Sequence, residues 1–140
     1  AVQGREVTCG VLRSGDEVRT LPVCEIKTSR EFFDYEAKYH SKDTQEIIPA
    51  EIPDQITRMI QERSAAIYRA FNCRGMVRVD HFWTGGNDAG SIVTIELNTV
   101  PGFSGASIFP KMLEAAGLQV KDVINGMIGE MVKDQPIGRK

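Results

Sequence analysis

The chain predicts an α+β fold, an antiparallel sheet with flanking helices, and three observations carry that expectation. Extended segments come in adjacent pairs joined by turn-rich links, at Glu6–Lys27 and again at Met76–Asn98. Helical periodicity is confined to stretches between and after these pairs. The second strand pair divides cleanly into an apolar and a polar face.

Glu6 to Leu12 reads as a strand with Val7, Cys9 and Val11 on one face. Arg13-Ser14-Gly15-Asp16 supplies turn chemistry, and Glu17 to Lys27 returns as an extended segment. Pro22 interrupts it, since a residue without an N–H suits an edge or a bulge. Thr28 to Ile48 has no clean period, and its cluster Phe32 to Tyr39 is placed on a loop. A helix follows over Pro53–Asn72, where Ile56, Met59, Ile60, Ile67, Ala70 and Phe71 recur at helical spacing. Met76–Trp83 and Ser91–Asn98 form the second strand pair around the hairpin loop Thr84–Gly90. A short helix follows the turn at Thr99–Ser107, and a last one covers Lys121–Lys133. Val123, Ile124, Met127, Ile128, Met131 and Val132 line that last helix and are expected to enter the core. The tail from Asp134 reads as frayed.

Composition narrows the function classes. A net charge of -2 gives no basic field for nucleic acid or an anionic membrane surface. No apolar run approaches the ~18 residues of a membrane span, and no signal peptide is expected. Cys9, Cys24 and Cys73 are odd in number and lack metal-type spacing, so reduced thiols in a cytoplasmic protein are expected. The start, Ala1-Val2-Gln3-Gly4, has no methionine and suggests an excised domain.

The chemistry concentrates on the second strand pair. Alternation puts Val77 and Val79 on one face and Arg78 and Asp80 on the other. Val93, Ile95 and Leu97 share the apolar face, while Glu96 and Asn98 join the polar one. Two carboxylates and an amide offer oxygen alone, which suits a hard cation such as Mg2+ rather than zinc. A solvated polar face on a half-buried sheet fits the same pattern, so both readings stay open here. The following Thr99-Val100-Pro101-Gly102-Phe103-Ser104-Gly105-Ala106-Ser107 is a turn whose N–H groups and hydroxyls can meet an anion. His81 reads as an apolar-face residue, His40 as a loop residue, and Trp83 as packing.

Several segments, in order, carry a resemblance. They are Gly4-Arg5-Glu6-Val7-Thr8, Asp34-Tyr35-Glu36-Ala37-Lys38-Tyr39, Cys73-Arg74-Gly75 with Arg78-Val79-Asp80, and Glu96-Leu97-Asn98-Thr99-Val100-Pro101-Gly102 with Ser107. Together they resemble the D-alanine-D-alanine ligase family, from about residue 4 to residue 132. The resemblance implies the carboxy-terminal catalytic domain of an ATP-grasp fold over residues 1–140, without the family's amino-terminal and central domains. These residues alone are then expected to be inactive.

It further implies an ATP-dependent ligase of peptidoglycan synthesis, using D-alanine, ATP and Mg2+ or Mn2+. It admits a homodimeric parent and involves neither nucleic acid nor membrane. Asp80, Glu96 and Asn98 match metal ligands, and Arg78 and Gly102 match groups that stabilise charge at the reaction centre. Glu6, Phe32, Lys38 and Ile95 match nucleotide contacts, Glu6 at the ribose, Lys38 at phosphate, and Phe32 and Ile95 at adenine. Tyr39, Asn98, Ser107 and Ile108 match positions at the substrates, Ser107 holding the acceptor's carboxylate. Tyr39 is typical of relatives that accept D-alanine. Phe33 stands where tyrosine is common, Ser104 where threonine is usual, and Gly105-Ala106 replaces bulkier residues, changes that bear on acceptor specificity. The alternatives are a D-alanine-D-lactate or other ATP-grasp ligase and, from another class, a non-catalytic nucleotide-binding or interaction domain.

Overall fold

The computed structural model describes residues 2–15, 17–28 and 44–133. Its centre is a long strand, β1 (Arg5–Ser14), that serves partners on both edges. On one edge β1 pairs with β2 (Glu17–Thr20) through Val11–Ser14 and with β3 (Cys24–Thr28) through Glu6–Thr8. On the other it pairs with β5 (Met76–Trp83) over eight positions, from Arg5 opposite Trp83 to Leu12 opposite Met76. β4 (Thr44–Ile47) extends the sheet beyond β3, and β6 (Ile92–Asn98) extends it beyond β5. Every one of these pairings is antiparallel. The predicted α+β class is what forms.

The extended segment around Pro22 resolves into two strands, with Leu21–Val23 between them outside any ladder. β4 lies within the stretch that has no clean period. Its sequence, Thr-Gln-Glu-Ile, has a single apolar residue and so no legible period; backbone pairing with β3 makes it a strand. The aromatic and charged cluster from Phe32 to Tyr39, the residue His40 and the tail from Asp134 lie outside the described residues.

The sheet is covered on both faces. Val7, Cys9, Val11, Val77 and Val79 alternate to one face and pack under α1 (Asp54–Ala70) through Ile56, Ile60 and Tyr68. Pro53 caps that helix, Asp54 meets its positive end and Arg69 its negative end. Phe71, expected on its buried stripe, falls just beyond the helix and is 71% exposed. On the opposite face Leu12, Leu21 and Cys24 pack under α2 (Ile108–Ala115) through Phe109, Met112 and Leu113. Burial pushes the Cys9 and Cys24 thiols up to about 12, as inert core residues.

Gly10 sets how closely α2 can approach. A Cβ there would stand 2.7 Å from Leu21 Cδ1, 3.0 Å from Phe109 Cε2 and 3.1 Å from Met112 Sδ. The absence of that carbon lets the helix lie on the strand. α3 (Val120–Lys133) departs from expectation. Val123 joins the α2 cluster, but Ile128, Met131 and Val132 are 54%, 71% and 69% exposed. The first half of the expected stripe (Val123, Ile124, Met127) is thus partly buried, and the second half is not core among the described residues.

Candidate active site

The α2 face of the sheet carries Glu6, Thr8 and Gly10 on β1 and Arg78, Asp80 and Phe82 on β5, in register. α2 covers the Gly10 end and leaves the other residues of this face outside both core clusters. There Arg78 donates from Nε to Asp80 Oδ1 at 2.8 Å and from an Nη to Oδ2 at 2.9 Å. The Thr8 hydroxyl donates to Oδ1 of the same carboxylate. Asp80 is 9% exposed, so this side chain is held in place from two strands. Glu96 stands across from Asp80 on β6, and Asn98 across from Arg78.

The electrostatics follow from that crowding. Burial, then the charge of Asp80, raises the Glu6 carboxyl above the usual carboxylate range, while Arg78 pulls it back. The hydrogen bonds to Asp80 raise the Arg78 guanidinium, with help from Glu96 and Glu6. Three carboxylates (Glu6, Asp80, Glu96) thus share one guanidinium, a surplus of negative charge that attracts a cation.

The strand pair is less regular than alternation predicts. Between Asp80 and His81 the register shifts: Asp80 faces Glu96, yet His81 faces Thr94. Ile95 is the extra residue of a β-bulge, without a cross-strand partner. Consequently Val93, opposite Phe82, leaves the apolar face expected for it, and Thr94 takes that face instead. Ile95 is 50% exposed and belongs to neither core cluster, whereas Leu97 packs where expected.

His81 is fully buried on the α1 face. Burial and then the charge of Arg63 hold its imidazole down at about 4, against the pull of Asp80. Trp83 packs as expected, with Nε1 donating to Gly86 O at 2.8 Å and Arg5 stacked 5.3 Å from its ring centroid.

After β6, Asn98 Oδ1 accepts from Val100 N at 3.1 Å, turning the chain towards α2. Ser107 is the residue before α2, and its Oγ accepts from Ser104 N at 3.0 Å and lies 2.9 Å from Ser104 Oγ. A Cβ on Gly102 would stand 2.9 Å from that Oγ. Ile108 opens α2 and packs on its cluster. Phe109, two residues past Ser107, meets Gly10, the cross-strand partner of Arg78. The turn and the carboxylates therefore belong to one face of the sheet.

Among the expected site residues the fold brings together Glu6, Arg78, Asp80, Glu96 and Asn98, with Gly102, Ser107 and Ile108 following on the same face. Ile95 adjoins Glu96 at the bulge. Phe32, Lys38 and Tyr39 lie outside the described residues. Thr8 is the residue of this site that the sequence pattern does not single out; the β1–β5 register brings it to Asp80. Among the described residues no group of three or more His, Cys, Asp or Glu is gathered to hold a metal ion. The donors present, two carboxylates and an amide oxygen, fit Mg2+ or Mn2+ shared with phosphates, since magnesium takes few protein ligands.

Residues 1–129 match the family described as D-ala D-ala ligase C-terminus. A D-alanine–D-alanine ligase of Bacteroides fragilis is 40% identical over 125 residues, 89% of this chain and 37% of the relative. The VanG D-Ala:D-Ser ligase of Enterococcus faecalis superposes with a TM-score of 0.76 at 40% identity, over 92% of this chain and 36% of that one. The ATP complex of a Bacillus anthracis D-alanine–D-alanine ligase superposes with a TM-score of 0.72 at 31% identity, over 95% and 41%.

An antiparallel sheet between two helical layers, with these neighbours, defines the carboxy-terminal domain of an ATP-grasp fold. Within that class the chain belongs to the D-alanine–D-alanine ligase family. It spans little more than a third of the length of the curated relatives it matches.

Proposed function

We propose that this chain is the carboxy-terminal catalytic unit of a cytoplasmic, ATP-dependent ligase that joins two D-alanines for peptidoglycan. The observation that carries the reading is the pairing of Asp80 with Glu96 across the strands, beside Arg78, on the open end of a sheet face. In the reaction the carboxylate of one D-alanine takes the γ-phosphoryl group of ATP, releasing ADP. The amine of the second attacks that acyl carbon, and phosphate leaves as the amide forms.

Asp80, Glu96 and Asn98 would hold the metal. A bound Mg2+ or Mn2+ supplies charge neutralisation for the transferring phosphoryl group. Arg78 and the Gly102 N–H stabilise negative charge developing at the acyl oxygen. Glu6 accepts from the ribose hydroxyls, Ile95 and Phe32 flank adenine, and Lys38 contacts phosphate. Ser107 donates to the acceptor's carboxylate beside Ile108, and the family resemblance assigns Tyr39 to the acceptor.

The test is Asp80→Asn and Glu96→Gln in the full-length ligase. Loss of metal-borne stabilisation, several kcal/mol, predicts a fall in turnover on the order of a thousandfold. Near-normal turnover of both variants at limiting magnesium would return the strand pair to a solvated polar face.

A second reading concerns the acceptor. The VanG neighbour, at 40% identity, is a D-Ala:D-Ser ligase. Competition between D-alanine and D-serine as acceptors decides between them.

A further inference from the structure

We infer that His81 is a positioning residue: its bond to Thr94 holds β6 in the bulged register and keeps Ile95 out of the core, beside Glu96. His81 Nε2 lies 2.9 Å from Ser64 Oγ, and its Nδ1 lies 3.1 Å from Thr94 Oγ1. The Ser64 hydroxyl spends its single proton on Ile60 O, at 2.8 Å. It can therefore only accept from the ring, so Nε2 carries the proton and Nδ1 accepts from the Thr94 hydroxyl. A hydrogen-bonded chain thus runs from the α1 backbone through buried Ser64 and His81 to Thr94, an exposed residue just before the bulge.

Two regular registers compete with the bulged one. The first continues from His81 opposite Thr94 and would place Glu96 opposite Val79, on the packed α1 face. Burying a carboxylate there forbids it. The second continues from Asp80 opposite Glu96 and would return Val93, Ile95 and Leu97 together to the apolar face. Hydrophobic alternation favours that register. It would set His81 opposite Ile95, leaving a fully buried Nδ1 without a donor. The Thr94 hydroxyl is what the bulge supplies and the regular strand withholds.

The register inference stands on the hydrogen bonds. Its consequence for nucleotide rests on the proposed function, in which Ile95 flanks adenine and Glu96 holds metal. Solution NMR of the 140-residue chain reads the register directly, through cross-strand contacts of residue 81 with residue 94 or with residue 95. Thr94→Val keeps the β-branched shape and removes only the hydroxyl. His81→Gln places its amide near Ser64 and nothing at Nδ1, whereas His81→Asn restores a polar atom at Nδ1.

We expect Thr94→Val and His81→Gln to pair residue 81 with Ile95, and His81→Asn to keep the pairing with Thr94. In the full-length ligase the two shifted variants should raise the KM for ATP about tenfold with little change in kcat. Retention of the 81–94 pairing in both Thr94→Val and His81→Gln overturns the inference, whatever their kinetics. A shifted strand with an unchanged KM for ATP supports the register inference and overturns the placement of Ile95 at adenine.

Discussion

Arg78 and Asp80, two residues apart on one strand, close a bidentate ion pair at 2.8 and 2.9 Å that occupies both carboxylate oxygens. Because i and i+2 share a strand face, the pair forms without help from any other element. A cation approaching Asp80 must therefore compete with the guanidinium for the same oxygens.

That competition gives a prediction with an unusual sign. Arg78→Gln in the full-length ligase should tighten Mn2+ binding in the absence of substrates, while turnover falls. Removing a positive charge beside three carboxylates strengthens cation binding by about tenfold, or ~1.4 kcal/mol. Losing one charge-stabilising donor costs about 10²–10³ in kcat. Mn2+ titration by water-proton relaxation and steady-state turnover measure the two halves. Weaker Mn2+ binding in the variant would mean that Arg78 builds the metal face instead of competing with it.

Gly10→Ala should destabilise the fold and disturb the turn at Ser107. The added carbon meets Leu21, Phe109 and Met112 at 2.7, 3.0 and 3.1 Å, in a layer where these residues are fully buried. Overpacking of this kind costs about 1–3 kcal/mol. Chemical denaturation measures the loss. An unchanged midpoint would show that α2 moves freely off the sheet, contrary to its tight cluster.

The path from pattern to fold differs between elements for physical reasons. β5 was legible at its centre, because Val77 and Val79 alternate with Arg78 and Asp80 and pack in the α1 cluster. β4 was hidden by its polar sequence, since only the backbone of β3 specifies it. The bulge was hidden by the opposite cause: Val93, Ile95 and Leu97 spell a regular strand, and the groups that oppose one sit on β5 and α1, at His81 and Ser64. The α3 stripe reads as core because periodicity reports amphipathicity but not what lies opposite. For the site, spacing could place Arg78, Asp80, Glu96 and Asn98 on one face, but no local pattern could show that β1 adds Thr8 to the Asp80 carboxylate.

His81 predicts a pH dependence of stability. Its folded value of about 4 lies below the ordinary value of about 6.5, because burial and Arg63 oppose the charged ring. Above pH 6.5 both states are neutral and the contribution is fully present. Between 6.5 and 4 the unfolded chain takes the proton first, so stability falls as pH falls, by about 1.4 kcal/mol per unit. The total is on the order of 3 kcal/mol. Denaturation at pH 7.5, 6 and 5 should show this slope, and His81→Asn should flatten it. An identical slope in the variant would assign the dependence to carboxylates instead.

Ser107→Ala in the full-length ligase should raise the KM for the acceptor amino acid and leave ATP affinity unchanged. Ser107 precedes α2, and its Oγ makes no capping bond into the helix; it closes the turn by accepting from Ser104 N. Its own proton remains available to a ligand or to Ser104 Oγ, 2.9 Å away. A hydroxyl donating to a carboxylate is worth about 1.5–3 kcal/mol, so the KM should rise on the order of tenfold to a hundredfold. Ser107→Thr keeps the hydroxyl and should recover most of the loss, provided the extra methyl clears Gly102, which already lies close to the Oγ. Initial rates across acceptor concentration at saturating ATP, then across ATP at saturating acceptor, separate the two affinities. A rise in the ATP KM with the acceptor KM unmoved would place this turn at the nucleotide and reverse the assignment of the two ends of the site.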